Sequence, residues 1–332
     1  MASQEALPIG WVIDTATPPE KIAPTAALAE DLGYAEILVA EDYFCGGGFS
    51  VAMAALNATK RIPVGLGIVS ALSRHPAVLA MEIATVSRLF PGRFRPGISL
   101  GLSSWVRQMG YTPAAPATVV RECVTSVRTL LSGEELTATG QYFSSSAIKL
   151  THPPREEVPL YLGVSGPKLL RVSGKYADGT LINLTATPAF VRWAREQVAL
   201  GMKSAGRTTP HRFPVIALYV VDRDGARAKE ATRGVLSFVL AALGPTAITD
   251  LYGISEQLAD LIVRGGADAV AREMPQAWIE DMTISGTPEE CAAKMRAFLA
   301  AGADALLLFP LGPEEMVRFT AAEVFPLLQA HH

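Results

Sequence analysis

Short apolar runs alternate with longer stretches of helical periodicity along most of the 332-residue chain. The runs consist mainly of Ile, Leu and Val, and several show no alternation of apolar and polar positions. Continuous apolar runs are typical of parallel strands that are buried on both faces. The pattern therefore predicts eight strands, over residues 7–13, 36–41, 62–69, 94–100, 158–164, 179–184, 214–221 and 304–310.

The stretches between these runs carry helix boundary signals. A threonine that can cap free N–H groups, followed by a proline that fits the first helical turn, occurs at Thr17-Pro18, Thr187-Pro188 and Thr287-Pro288. Glu20 and Glu290 stand three residues after their threonines, which predicts two capping boxes. Gly33 and Gly302 predict the ends of the same two helices, and an apolar run follows each of them.

Strands that alternate with helices fit either a closed barrel or a doubly wound open sheet. No GxGxxG sequence follows the first predicted strand, which removes the main support for a dinucleotide-binding sheet. A (β/α)8 barrel takes about 250 residues, and the surplus falls in residues 222–286, which are predicted as helices with breaks at Gly244-Pro245 and Gly265-Gly266. We therefore predict an α/β fold: a single-domain (β/α)8 TIM barrel over residues 1–332, with a helical insertion between strands 7 and 8.

Composition and charge restrict the functional class. Hydrophobic residues make up 49% of the chain and charged residues 18%, which is enough apolar material for a large core. The net charge of −3 argues against a broad nucleic-acid-binding surface. The three cysteines are far apart, so neither a zinc site nor a disulfide framework is expected. Without a signal peptide or an apolar run of membrane-spanning length, we expect a soluble, cytoplasmic protein that acts on a small molecule.

The functional side chains of such a barrel lie at the C-terminal ends of its strands. The second strand ends in Glu41-Asp42, and an unpaired carboxylate is expensive to bury. Because neighbouring strand residues point to opposite faces, we expect one of the two to enter the barrel mouth. Two interpretations stay open: a functional carboxylate, or a solvated loop start that forms a salt bridge to an arginine such as Arg74.

Glycines and small polar residues mark three further strand ends. Gly65 and Gly67 lie inside the third strand, where they indicate either a bulge near a planar ligand or a crowded barrel interior. The glycines, serines and tryptophan of residues 97–105 are a weaker sign of close ligand contact. The fifth strand leads into Ser165-Gly166-Pro167-Lys168, whose backbone N–H groups and lysine can bind a phosphate. A plain helix start with a serine cap also explains these four residues.

Five stretches together carry a family resemblance that spans residues 7 to 310. They are Leu32-Gly33-Tyr34 with 38–42, Ser73-Arg74-His75-Pro76-Ala77, residues 88–94, Ser165–Lys168 with Ala177-Asp178-Gly179, and residues 286–290 with 301–304. In order and spacing they resemble the luciferase-like monooxygenase and F420-dependent oxidoreductase superfamily, especially members similar to methylenetetrahydromethanopterin reductase. The resemblance implies an oxidoreductase that holds coenzyme F420, a 5-deazaflavin, or alternatively FMN, at the barrel mouth. It also implies a homodimer.

The resemblance further implies which residues contact the cofactor. The third strand is expected to contain a cis peptide bond between Gly67 and Ile68 that forms a bulge behind the ring. The other implied contacts are Glu41 and Ser70 to the ring or its side chain, the backbone of Leu100 and Gly101, and a phosphate site made by Ser165, Gly166, Lys168 and Leu169.

The chain departs from the family pattern at the proton donor. Members commonly have a histidine where Asp42 stands here, and Leu102 replaces a glutamate that some sugar-phosphate-oxidising relatives carry. We therefore expect Asp42 to be the catalytic acid or base, with Glu41 and then Tyr43 as alternatives. The expected reaction is hydride transfer between F420 and a small organic substrate. An FMN-dependent monooxygenase and a non-catalytic flavin-binding barrel remain the alternatives.

Overall fold

The computed structural model describes residues 7–312 and 314–330. All eight strands that the apolar runs predict are present there, and three short ones are added. The strands are β1 (Ile9–Val12), β2 (Ile37–Val39), β3 (Val64–Ser70), β4 (Phe94–Ser99), β5 (Leu136–Thr139), β6 (Ser144–Ile148), β7 (Tyr161–Gly163), β8 (Gly179–Leu181), β9 (Pro214–Val221), β10 (Ile284–Gly286) and β11 (Ala305–Pro310).

Helices connect the strands of the parallel sheet. They are α1 (Pro19–Asp31), α2 (Gly48–Ala58), α3 (Pro76–Leu89), α4 (Ser103–Gln108), α5 (Pro116–Leu131), α6 (Pro167–Tyr176), α7 (Pro188–Ser204), α8 (Gly225–Leu243), α9 (Ala247–Tyr252), α10 (Ser255–Glu273), α11 (Gln276–Met282), α12 (Pro288–Ala300), α13 (Met316–Phe319) and α14 (Phe325–Gln329). A π-helical turn, Thr320–Val324, joins the last two. Within the described residues, no helix combines the length and the apolar composition that crossing a membrane requires.

Nine strands form one parallel sheet, in the order β10-β9-β11-β1-β2-β3-β4-β7-β8. The sheet curls until β8 meets β9: the amide of Thr180 donates to the carbonyl of Arg212 over 2.8 Å, and the amide of Ile182 donates to that of Pro214 over 2.9 Å. β10 lies outside this ring because it pairs with the C-terminal end of β9. The fold is thus α/β with a curled parallel sheet, and the strand ends converge at one mouth.

Apolar side chains fill the inside of the curl. Val12, Leu38, Leu181 and Leu307 form a buried cluster that is separate from the large core between sheet and helices. β2 and β8 are not neighbours in the sheet, so their leucines meet across the interior rather than along it. The middle of the curl is therefore packed, and a ligand can be placed only beyond the packed layer, at the mouth.

The predicted helix boundaries are confirmed at the second and third threonine. Thr187 Oγ1 accepts a hydrogen bond from the amide of Phe190 over 3.2 Å. Thr287 and Glu290 form the predicted reciprocal capping box. α12 is followed by Gly302 in the left-handed region, with φ 101°.

The predicted cap at Thr17 is wrong. α1 begins at Pro19, and its N-cap is Pro18, which provides no side-chain hydrogen bond. Pro18 is extended, with φ −55° and ψ 140°, because a residue that precedes a proline is disfavoured in the helical region. The helix therefore starts one residue later than predicted, beyond the position that Thr17 could cap, and the capping box with Glu20 does not form.

Four helices, α8 to α11, occupy most of the segment between β9 and β10. Their apolar residues form a second cluster with Leu218 of β9. The predicted breaks are confirmed: α8 ends at Gly244, with φ 65°, and the helical path of α10 is broken at Gly265 and Gly266.

The apolar pattern does not predict the antiparallel hairpin of β5 and β6 or the short strand β10. The hairpin is composed largely of exposed Ser and Thr, so it leaves no apolar signal. β10 has three residues, which is too short for any periodicity to show.

Candidate active site

A cavity of about 700 Å³ opens at the C-terminal ends of the strands, within the usual size range of small-molecule sites. Seven of the residues predicted from the sequence line it: Glu41, Asp42, Gly67, Ile68, Ser70, Gly101 and Ser165. The other four predicted residues are not part of the cavity wall: Leu100 and Gly166 lie in the adjoining loops, and Lys168 and Leu169 lie in the first turn of α6. Curling of the sheet thus brings together residues that are more than a hundred positions apart in sequence.

The peptide bond between Gly67 and Ile68 is cis, as predicted, and the pairing of β3 with β4 shifts register between Leu66 and Val69. The interior around Gly67 is also crowded, which is the second explanation given above for the glycines of β3. A Cβ atom on Gly67 would lie 2.5 Å from Cδ2 of Leu181. The bulge therefore forms where the interior tolerates no side chain.

Two glycines on the neighbouring strands make room for Ile68. A Cβ atom on Gly163 of β7 would lie 2.6 Å from Ile68 Cγ2, and one on Gly97 of β4 would lie 3.3 Å from the same atom. No functional role is predicted for Gly163 from the sequence, and Gly97 belongs to the weaker signal of residues 97–105. Their position inside strands, where glycine needs a reason, is the available sign.

Glu41 is a buried carboxylate that is fully paired. Its Oε1 lies 2.6 Å from Arg74 Nη1 and its Oε2 lies 2.7 Å from Nη2, and the amide of Gly48 donates to Oε2 over 2.9 Å. The bond to Glu41 raises the pKa of Arg74, whose Nε lies 2.9 Å from Glu82. The salt bridge named as one interpretation is therefore present, and it connects the end of β2 to the segment before α3, while the Gly48 amide connects it to the start of α2. Contact of Glu41 with a cofactor stays a prediction.

Asp42 differs from Glu41 because it is held by a hydroxyl group. Its Oδ2 accepts a hydrogen bond from Thr15 Oγ1 over 3.2 Å, and it has no ion pair with any residue of 7–312 or 314–330. Burial raises the pKa of Asp42, and the nearby charge of Asp14 adds to the increase. Such a carboxyl group can hold or release a proton at the cavity wall. The contact of Thr15 with Asp42 is not predicted from the sequence, although Thr15 follows the end of the first predicted strand.

An aromatic group borders the glycine-rich rim of the cavity. The ring of Tyr43 stacks on Phe44 at 5.7 Å and lies 6.2 Å from the ring of Trp105. The Tyr43 hydroxyl is buried and has no hydrogen-bond partner among the described residues. The Tyr43–Phe44 peptide bond is also cis, which the sequence analysis does not predict.

Ser70 connects the loops that follow β3 and β4. Its Oγ donates to the carbonyl of Leu100 over 2.6 Å and accepts from the amide of Leu72 over 3.2 Å. Gly101 follows with φ 83°, a conformation that favours glycine. A Cβ atom there would lie 3.5 Å from Ser70. The hydrogen bonds of Ser70 and the conformation of Gly101 thus fix this loop, in which backbone contacts of Leu100 and Gly101 with a cofactor stay a prediction.

The turn after β7 has no side-chain cap. The N-cap of α6 is Gly166, not a serine, and Pro167 takes the first helical position. A Cβ atom on Gly166 would meet nothing within 4 Å, and Lys168 is exposed in the first turn. The serine-cap interpretation is therefore wrong. Free amides at a helix start, an open space beside them and a lysine fit an anion.

Comparison with known proteins agrees with this geometry. Residues 8–305 match the family described as luciferase-like monooxygenase. The 5,10-methylenetetrahydromethanopterin reductase of Methanolobus tindarius is 28% identical over 314 residues, which cover 92% of this chain and 95% of that protein. The F420-dependent glucose-6-phosphate dehydrogenase of Nakamurella multipartita is 26% identical over 329 residues, with 94% and 93% covered.

A solved structure shows the same overall arrangement. The coenzyme F420 dependent tetrahydromethanopterin reductase from Methanopyrus kandleri superposes with a TM-score of 0.83 at 26% identity, covering 97% of this chain and 99% of that one. Because the family match extends over most of the chain, the protein belongs to the luciferase-like monooxygenase family.

Proposed function

We propose that this protein is an F420-dependent oxidoreductase that transfers a hydride between the deazaflavin and a small organic substrate in the 700 Å³ cavity. Asp42 exchanges the proton that accompanies the hydride. The observation that carries this proposal is a desolvated carboxyl group at the cavity wall, held by Thr15 and free of any ion pair within the described residues. The relatives with F420-dependent activities support the choice of cofactor.

The residues at the mouth fit a planar ring with a phosphate-bearing tail. The bulge at Ile68 offers a support for one ring face, and the fixed loop at Leu100 and Gly101 offers backbone groups at the ring edge. The start of α6 at Gly166, with Lys168, suits the phosphate. When bound, the deazaflavin supplies the ring carbon that gives or takes the hydride. FMN would use the same support and remains the alternative cofactor.

Asp42 has the environment that a proton carrier needs. Its raised pKa keeps a larger share of protonated carboxyl near neutral pH than an exposed aspartate has. Thr15 orients one carboxylate oxygen, which leaves the other for the reacting group at about 2.6–3.2 Å. Glu41 is less suited because Arg74 and Gly48 already use its oxygens.

We also propose how the domain is built and how it assembles. The eight strands that close between β8 and β9 support a (β/α)8 barrel, and we propose that residues 222–286 are an insertion in this single domain. The cluster that α8 to α11 form with Leu218 supports this assignment, since it attaches the segment to β9. A homodimer is also part of the proposal and rests on the family resemblance alone.

A substitution at the start of α6 tests the cofactor site. Asp is a favourable N-cap residue, so Gly166→Asp should keep or slightly raise thermal stability. Its carboxylate would, however, occupy the open space beside Gly166 and repel a phosphate. We expect the affinity for F420, measured by calorimetric titration, to fall about tenfold to a hundredfold, as for the loss of charge-assisted hydrogen bonds.

Ala115→Asp is the matched control. Ala115 is the uncapped N-cap of α5, it also precedes a proline, and it does not line the cavity. This variant should bind F420 as the unsubstituted protein does. A parallel titration with FMN separates the two cofactors. If neither cofactor binds the unsubstituted protein, or if Gly166→Asp binds F420 normally, the proposed site is wrong.

A further inference from the structure

Helix α8 presents an apolar stripe to the cavity. Val235, Phe238, Val239 and Ala242 line the cavity wall at helical spacing. Leu236 and Leu240 of the same helix are buried in the second apolar cluster. Phe238 is nevertheless 60% exposed. Apolar side chains that lie together at the mouth of a cavity, one of them largely exposed, are typical of a surface that binds an apolar ligand or partner.

This stripe stands across the mouth from the predicted cofactor contacts. Those contacts lie in or after β2, β3, β4 and β7, which are consecutive in the sheet. α8 follows β9, Leu184 follows β8, and Phe309 lies in β11, which are consecutive on the other part of the ring. The residues that line the cavity from this second part are apolar except Asn183. We call six of them the apolar wall: Leu184, Val235, Phe238, Val239, Ala242 and Phe309.

Charged groups are scarce around the apolar wall. The charged residues among the described lining of the cavity are Glu41, Asp42 and Arg107. Glu41 is neutralised by Arg74, and Arg107 belongs to α4, which follows β4 on the cofactor part of the ring. A phosphate or carboxylate placed against the apolar wall would lack a cation, and an unpaired buried charge is strongly unfavourable.

Resting on the function proposed above, we propose that the substrate is an uncharged molecule with an alkyl or aryl body and a carbonyl or alcohol group. The body lies against the apolar wall, and the reacting group faces Asp42. In the direction of reduction, the carbonyl carbon gains the hydride from the reduced cofactor and the carbonyl oxygen gains the proton of Asp42. Oxidation of the alcohol returns the hydride to the oxidised cofactor and the proton to Asp42.

Binding of a neutral probe tests the apolar wall without turnover. N-phenyl-1-naphthylamine is an uncharged fluorophore that brightens in apolar sites, and we expect saturable binding to the full-length protein. Phe238→Ala should weaken this binding about tenfold, because burial of a phenyl group is lost. Val263→Ala is the control: Val263 is 86% exposed and does not line the cavity. It should bind the probe as the unsubstituted protein does.

Turnover with F420 tests the substrate class. Along a series of secondary alcohols of increasing chain length, kcat/KM should rise about threefold to fourfold per methylene. In Phe238→Ala the rise should be less than about twofold, while the affinity for F420 should stay unchanged. Glucose 6-phosphate should neither react nor displace the probe. Failure of F420 to bind would refute the proposed function, whereas the probe titration judges the apolar wall by itself.

Three results would overturn the inference. The first is equal probe affinity in Phe238→Ala and the unsubstituted protein. The second is displacement of the probe by glucose 6-phosphate at lower concentration than by a secondary alcohol. The third is a dimer in light scattering that Phe238→Ala dissociates, because α8 would then be covered by a second copy of the chain rather than by a substrate.

Discussion

The two ends of the curled sheet use ionisable residues in opposite ways. At the N-terminal ends of the strands, Glu36 forms ion pairs with Arg95 of β4 and with Arg212, which lies 3.4 Å away. Arg212 also donates to the hydroxyl of Tyr161 over 3.1 Å. Glu36, Arg95 and Tyr161 line a cavity of about 10 Å³ there, roughly the space of one water molecule. We call these three residues and Arg212 the closed-end network.

At the other end of the curl the cavity measures about 700 Å³, and the two carboxylates that line it, Glu41 and Asp42, have different kinds of partner. Glu41 is paired with Arg74 in the same way as Glu36 is paired with its arginines. Within residues 7–312 and 314–330, Asp42 has Thr15 as its side-chain partner and no ion pair, and its pKa is raised by burial. Glu36 and Glu41 thus have charged partners whereas Asp42 has a hydroxyl partner, which is why we propose Asp42 for proton exchange.

The sharpest way to break this comparison is to remove the charge of Asp42. Asp42→Asn keeps the size of the side chain and an oxygen that can accept from Thr15, but it cannot carry a proton. We expect turnover to fall about 100-fold to 10,000-fold, the usual contribution of a positioned acid or base. Stability should not decrease, because a desolvated carboxyl group is removed. Steady-state kinetics and thermal melting measure the two effects.

Asp14→Asn serves as the control for Asp42. Asp14 does not line the main cavity, and its negative charge contributes to the raised pKa of Asp42. This variant should retain turnover within about tenfold. The limb of its pH profile that reports Asp42, acidic for oxidation of the alcohol and alkaline for reduction of the carbonyl, should shift to lower pH as the pKa of Asp42 falls. Full turnover in Asp42→Asn would assign the proton to another group, of which Glu41 and Tyr43 are the neighbours in sequence.

A smaller effect is expected at the closed-end network. Glu36→Gln leaves the guanidinium groups of Arg95 and Arg212 together without a carboxylate. Breaking a buried ion pair destabilises a protein by about 3–5 kcal/mol. The two arginines are partly exposed, so we expect a loss of about 3 kcal/mol in the free energy of unfolding. Turnover at a temperature where the variant is folded should be unchanged.

Urea denaturation with a common m-value measures this loss. The control is Glu230→Gln, which removes the exposed pair between Glu230 and Arg233 on α8. It should change the unfolding free energy by a small fraction of the loss in Glu36→Gln, because exposed pairs contribute little. Equal stability of the two variants would show that the closed end does not depend on its ion pairs.

Buried apolar elements of the fold are predicted from the sequence, whereas exposed polar elements are not. The strands are predicted because eight buried runs of Ile, Leu and Val carry a signal at each position. The β5–β6 hairpin escapes because its residues are exposed and polar. Thr17 fails as a cap because two adjacent prolines move the start of α1, an effect of backbone conformation rather than of hydrophobicity.

For the residues at the barrel mouth, the sequence predicts their position at the strand ends but not their hydrogen-bond and ion-pair partners. The sequence locates Glu41 and Asp42 at a strand end, but whether Arg74 pairs with one or the other depends on a contact across 33 positions. Thr15 reaches Asp42 across 27 positions in the same way. The apolar wall of α8 has no separate signal, since its residues continue the apolar pattern of a buried helix. These contacts form because the sheet curls, and no local sequence pattern predicts the curl.

The smallest expected effect concerns a histidine near the closed end that forms no ion pair within the part of the chain that the structure describes. His211 precedes β9, and its Nε2 lies 2.8 Å from Thr180 Oγ1, which in turn lies 2.7 Å from Ser173 Oγ. Burial, together with the charge of Arg207 and against that of Asp178, lowers the pKa of His211 to about 4. The folded protein thus holds this imidazole neutral under conditions where the unfolded chain protonates it.

A lowered pKa of a base means that the unfolded state binds more protons between the two values, so stability should fall with pH below about 6.5. For a folded-state pKa of about 4, the loss between pH 7 and pH 5 amounts to about 2 kcal/mol. Urea unfolding at both pH values should show this slope in the unsubstituted protein and a reduced slope in His211→Asn. Ser173→Ala keeps the imidazole and should be less stable at both pH values with the slope retained. An identical slope in His211→Asn would place the acid sensitivity elsewhere, and the closed end would then contain no unpaired titrating group that affects folding.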